Sequence, residues 1–156
     1  MRIDGAWFPG EDKTIRPIVP GLVRQPDGEW LEVSFLLDAG ADRTVFSAAF
    51  LGVLQPMKTS SAEKILIAGV GGTADTITID TAIGFVRDDG HLVTVRGTFS
   101  VFAQAESADL SVLGRDVTNN FTVIYDYPQQ IIALLAPPHS CEIKPSGRVP
   151  VQNRER

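Results

Sequence analysis

Two carboxylates four residues apart, Asp38 and Asp42, lie in the stretch Leu36-Leu37-Asp38-Ala39-Gly40-Ala41-Asp42-Arg43-Thr44-Val45. An apolar run leads into the first of them, and a small residue and a glycine then turn the chain. A carboxyl group delivered to the buried end of a strand loses solvent. It then holds a proton that an exposed Asp would release, which is the first requirement of acid–base chemistry. Asp-x-Gly is also ordinary turn chemistry, because Asp bonds nearby backbone N–H groups and Gly tolerates positive φ. A plain turn needs neither Asp42 nor Thr44.

A glycine cluster, Ile67-Ala68-Gly69-Val70-Gly71-Gly72, begins 29 positions after Asp38. Three glycines around one apolar residue, between two strand-like runs, describe a hairpin tip that bends and lets another backbone approach closely. The same residues fit the spacing of a dinucleotide fingerprint, Gly69-x-Gly71-x-x-Ala74. That motif needs a helix next, whose N-terminus receives the pyrophosphate. The next residues, Thr73-Ala74-Asp75-Thr76-Ile77-Thr78-Ile79, are alternating and β-branched, so the nucleotide reading fails its own context test.

A third motif, Ser111-Val112-Leu113-Gly114-Arg115-Asp116, places Gly114 76 positions after Asp38. By itself it reads as a helix start with Asp116 in the first turn, where the helix dipole favours a carboxylate. The order and intervals of the three motifs together resemble the retropepsin-like (retroviral-type, single-lobe) aspartic proteases over about residues 30–135, with a fainter echo in Arg16-Pro17-Ile18-Val19.

That resemblance implies an aspartic endopeptidase in which Asp38 is catalytic and Ala39, Gly40, Ala41, Asp42 and Thr44 complete the active-site loop. It implies a flap formed by Ile67, Gly69, Val70, Gly71 and Gly72, and an ion pair between Arg115 and a buried Asp42. Water is activated in that family by two carboxylates that share a proton. The chain has one such loop, since Asp126 in Tyr125-Asp126-Tyr127 lacks it, so the second carboxylate must be the Asp38 of a partner protomer. The implied assembly is a homodimer acting on a peptide or protein in extended conformation. Gly40 and Asp42 would contact that substrate, with Val45, Ile67, Val70 and Ile83 as apolar subsite walls. The family carries Thr or Ser where this chain has Ala39, and that hydroxyl ties the two loops across the dimer axis. Its loss leaves a second reading, a catalytically weak or inactive dimeric peptide-binding module. No cofactor or metal is implied. The only histidines, His91 and His139, follow a turn and lie in the tail, and His139-Ser140-Cys141 is too little for zinc.

The elements that must position these residues are mainly strands. Trp30 to Leu37, Glu63 to Ala68, Thr73 to Ala82 and Leu92 to Phe102 read as strands, and Phe121 to Tyr125 with Ile131 to Leu135 as a terminal hairpin. Within Thr73 to Ala82, Ile77, Ile79 and Thr81 should share one face, and Thr78 and Asp80 the other. Turn signals stand at Pro26-Asp27-Gly28, Asp88-Asp89-Gly90 and Tyr127-Pro128. Only Ala48 to Leu54 and Arg115 to Asn119 look helical. The expected fold is mainly β: a closed or curled acid-protease-type barrel with a flap hairpin and one short C-terminal helix.

A chain of 156 residues makes one domain, here residues 1–135. Residues 136–156 hold four of the ten prolines and more basic than acidic side chains, the composition of a flexible tail. Without that tail the body is more acidic than the −5 of the whole chain, and no Lys/Arg cluster offers a face to nucleic acid. No run nears the ~18 apolar residues of a membrane span. The N-terminus lacks the apolar core of a secretory signal, and one cysteine, Cys141, makes no internal disulfide. A reducing cytoplasmic setting is expected.

Overall fold

The computed structural model describes residues 1–10, 12–59, 66–69, 72–104 and 110–138, with the backbone alone for 66–69, 72 and 73. Ten strands appear in chain order: β1 (Arg2–Pro9), β2 (Ile15–Arg24), β3 (Trp30–Leu37), β4 (Val45–Phe46), β5 (Leu66–Gly69), β6 (Gly72–Val86), β7 (Leu92–Phe102), β8 (Ser111–Leu113), β9 (Thr122–Asp126) and β10 (Ile131–Leu135). Helical turns cover Ala48–Phe50, Leu51–Leu54 (α1) and Gln55–Met57, and one further turn, α2, covers Arg115–Thr118.

The strands hydrogen-bond in the order β5-β6-β7-β4-β8-β3-β2-β1-β10-β9, and β6 also pairs with β2. This last pairing, Leu22 with Gly84 and Val23 with Ile83, closes β6, β7, β4, β8, β3 and β2 into a barrel. One edge of β2 runs along β3. The other is divided between β6 and β1, which takes Ile15 to Ile18. β1 in turn pairs through Arg2 to Gly5 with β10 and through Ala6 to Pro9 with β2. Gly5 sits at the changeover. A Cβ there would lie 2.6 Å from both Ile132 Cγ2 and the Ile18 carbonyl oxygen, so the crossing admits no larger residue without a shift.

The barrel interior is aromatic. Phe35 and Phe46 are fully buried with ring centroids 5.6 Å apart, Phe85 lies 6.3 Å from Phe35, and Phe99 meets Phe46 edge-on at 6.2 Å. Edge-to-face rings fill such a space with favourable quadrupole contacts.

Trp30–Leu37, Leu92–Phe102 and Ile131–Leu135 form the expected strands end to end. The predicted turns form too, with Gly28 and Gly90 in the left-handed region at φ 90° and 81°. β6 is longer than its alternation predicts, and the two-face pattern breaks down along it. Thr76 and Thr78 are buried like Ile79, and Ala82, Ile83, Gly84 and Phe85 are buried in succession. The second face is covered locally: a Cβ on Gly84 would meet Leu92 at 3.0 Å and the Trp30 ring at 3.2 Å. Gly72 opens a strand and no helix, which removes the dinucleotide reading. Of the expected tail, Ala136 to Pro138 are described and residues 139–156 lie outside the described residues.

Candidate active site

The strand order around β8 creates the site. β3 runs parallel to β8 with Leu37 opposite Leu113, and β4 lies antiparallel on the other side of β8 with Val45 opposite Val112. The chain leaving β3 must therefore cross the end of β8 to become β4. Residues 38–44 make that crossing directly over Gly114. A Cβ on Gly114 would stand 2.4 Å from the Arg43 carbonyl carbon, which explains glycine at this position.

Asp38 is the first residue of the crossing and is half-buried, whereas Ala39 and Gly40 are exposed. Its amide donates to the Leu113 carbonyl at 3.2 Å, and its carbonyl accepts from Ala41 N–H at 3.2 Å. The carboxylate Oδ1 accepts from Gly40 N–H at 2.8 Å. Gly40 does not take positive φ; its role is clearance, since a Cβ there would lie 3.1 Å from that same Oδ1. Asp38 keeps part of its access to water, so the solvent loss expected for it is incomplete within one protomer.

The far half of the crossing is locked from below. Thr44 is fully buried, and its hydroxyl donates to Asp116 Oδ1 at 2.7 Å while accepting from Gly114 N–H at 3.0 Å. The Thr44 amide donates to both Asp116 oxygens at 2.9 Å. Charge-assisted bonds linked through one partly buried hydroxyl–carboxylate chain reinforce one another. Arg115 N–H donates to the Ala41 carbonyl at 2.9 Å and Asp116 N–H to the Asp42 carbonyl at 3.3 Å, adding two backbone ties. The first-turn role for Asp116 is thus secondary: its carboxylate serves Thr44. Sequence reasoning had both residues in its motifs and missed their bond, which joins positions 72 apart.

Arg115 and Asp42 do form their ion pair, through Nη2 and Oδ1. The premise that Asp42 is buried fails, because its side chain is 78% exposed and that of Arg115 53%. Two proposed subsite walls fail as well. Ile83 is fully buried in the barrel core and Val45 is 3% exposed, so neither presents a surface to a substrate in this structure. Of the glycine cluster, Ile67 and Gly69 lie on β5 with Gly69 opposite Gly72 on β6, and Val70 and Gly71 lie outside the described residues. β5 ends the strand order, paired to β6 alone. Asp126 accepts from Gln129 N–H at 3.1 Å and belongs to the hairpin turn.

One further side chain reaches the loop unforeseen. The Tyr125 hydroxyl, on β9, donates to the Leu37 carbonyl at 3.2 Å. Burial and the negative charge of Asp38 raise the Tyr125 pKa above its ordinary 10.0, against the opposing pull of the Ala39 amide.

No protein-family model matches this sequence, and no curated protein matches it. Solved structures match in backbone. A retropepsin-like aspartic protease from Rickettsia conorii aligns at TM-score 0.52 and 16% identity, over 86% of this chain and 90% of that one. The retroviral protease-like domain of Ddi1 from Leishmania major gives 0.49 and 16%, over 77% and 94%. EIAV protease complexed with the inhibitor HBY-793 gives 0.45 and 24%, over 67% and 86%. The closed barrel, the crossing over β8 and the Rickettsia alignment identify the fold of this chain as retropepsin-like.

Proposed function

We propose that this protein is a homodimeric aspartic endopeptidase. The observation that carries the reading is the placement of Asp38. Its carboxylate stands partly open to solvent, steadied by Gly40 N–H, on a crossing loop locked by the bonds of buried Thr44 to Asp116. Two such carboxylates, one from each protomer, would face each other across a two-fold axis. Like charges at that range cannot both ionise, so one holds a proton while the other takes a proton from water as it attacks the scissile carbonyl. An extended peptide would lie across both loops, held by backbone hydrogen bonds and covered by Ile67 to Gly72 of each protomer. The lone Cys141 supports a reducing, cytoplasmic setting.

The test is cleavage of a mixed-sequence peptide pool across acid to neutral pH, beside Asp38→Asn and with sedimentation of both proteins. Cleavage should be lost in the Asn variant. In the parent it should decline as pH rises through the upper apparent pKa of the pair. A monomer that still cleaves would refute the shared dyad. A stable dimer that cleaves nothing would select the peptide-binding module.

A further inference from the structure

Leu37, the residue before Asp38, meets a phenol oxygen brought by another strand. Tyr125 donates that hydroxyl to the Leu37 carbonyl at 3.2 Å. The hydroxyl comes from 88 residues away, carried by β9 where Tyr125 pairs with Ile132 of β10. Its ring is seated by Trp7 of β1, with centroids 6.4 Å apart and planes tilted by 54°. Trp7 is held in turn by the edge-on ring of Tyr127 at 4.9 Å. A ring carried by a paired strand and packed on an indole brings its hydroxyl to the loop from an element outside it.

The loop needs such a reference. The bond from Gly40 to the Asp38 carboxylate lies within the loop itself and moves with it. The Thr44–Asp116 lock acts six residues further on. Position 39 carries only a methyl group. The direction in which Asp38 projects is set by the Leu37–Asp38 peptide, whose N–H is tied to the Leu113 carbonyl on β8 and whose carbonyl is the group that Tyr125 meets from β9.

We propose that Tyr125 is a positioning residue for Asp38: its hydroxyl holds the carbonyl of the peptide that precedes the carboxylate and so helps set the direction of that side chain. The catalytic half of this statement rests on the peptidase reading above; the bracing half does not. The raised pKa of Tyr125 keeps the hydroxyl protonated at acid and neutral pH, so it stays a donor wherever a proton-sharing dyad works. Its proton is engaged by the Leu37 carbonyl, which distinguishes it from a general acid.

Tyr125→Phe removes the bond to the Leu37 carbonyl and keeps the ring on Trp7, and Tyr127→Phe, which keeps its own contact with Trp7, is the control. In the full chain, amide hydrogen exchange at Ala39 to Ala41 should speed up about fivefold in Tyr125→Phe, the effect of one lost hydrogen bond. On the peptide pool kcat should fall about tenfold, with KM within about twofold, because the carboxylate is misaimed while substrate contacts remain. Tyr127→Phe should change neither. Unaltered exchange in Tyr125→Phe overturns the bracing role, whether or not the parent cleaves peptides. Faster exchange with unaltered kcat overturns the catalytic half. Faster exchange in a parent that cleaves nothing upholds the brace and refutes the peptidase.

Discussion

The crossing loop is joined to the turn below it twice, by side-chain pairs of the same general kind. Asp42 meets Arg115, and Thr44 meets Asp116. The first is a full ion pair and the second a hydroxyl and an amide on a carboxylate. Their surroundings reverse the usual ranking. Asp42 and Arg115 are mostly in water, where Coulomb attraction is weak, salt screens it and two side chains must be held still. Thr44 is fully buried, so each donor it owns must be paired inside the protein or left at a cost. The pair most conspicuous by charge is the one that matters less to the fold.

Asp116→Ala should break the comparison most severely. It strips the acceptor from the hydroxyl and amide of fully buried Thr44, although Asp116 itself is exposed, and should cost about 2–3 kcal/mol, read from urea unfolding. A loss under about 1 kcal/mol would mean that water enters and repairs the network. Thr44→Val keeps the branched shape and the amide bond to Asp116 but leaves Gly114 N–H without its acceptor. Its expected cost is about 1–2 kcal/mol, by the same measurement. Arg115→Ala should cost less than about 1 kcal/mol, and the difference should shrink in high salt. A loss that grows with protein concentration would instead place the Asp42–Arg115 pair at a contact between protomers, where desolvation would strengthen it.

The same contrast explains what the sequence disclosed. Asp38, Asp42 and Arg115 stand out by charge and spacing; the crossing carries both carboxylates, and Arg115 meets the second of them. Thr44 and Asp116 are as visible, but their bond follows from β8 lying between β3 and β4, which no local pattern records. Tyr125 reads as an ordinary strand aromatic until the hairpin is folded against Leu37. Among the strands, Trp30–Leu37 and Leu92–Phe102 carry their own β-branched and aromatic signal. β1 is interrupted by Gly5, and β4 and β8 have two and three residues, so their pairing is decided by partners far along the chain. Apolar character could not tell Ile83 in the core from a substrate wall, because both roles ask for the same side chain.

The pairing of β1 with β10 bears on how the protein is made. Arg2 lies opposite Leu135, and Ala136 N–H reaches the Met1 carbonyl at 3.3 Å, so β1 finds its partner only when β10, about 130 residues later, has emerged. Contacts of such long range are slow to close. On the ribosome the Asp38 crossing exists before β8 is there to support it, and before β9 and β10 complete the sheet. Until residue 135 has cleared the exit tunnel, a nascent chain carries the loop without its foundations. Whatever chemistry the loop performs begins only once β8, β9 and β10 have joined the sheet.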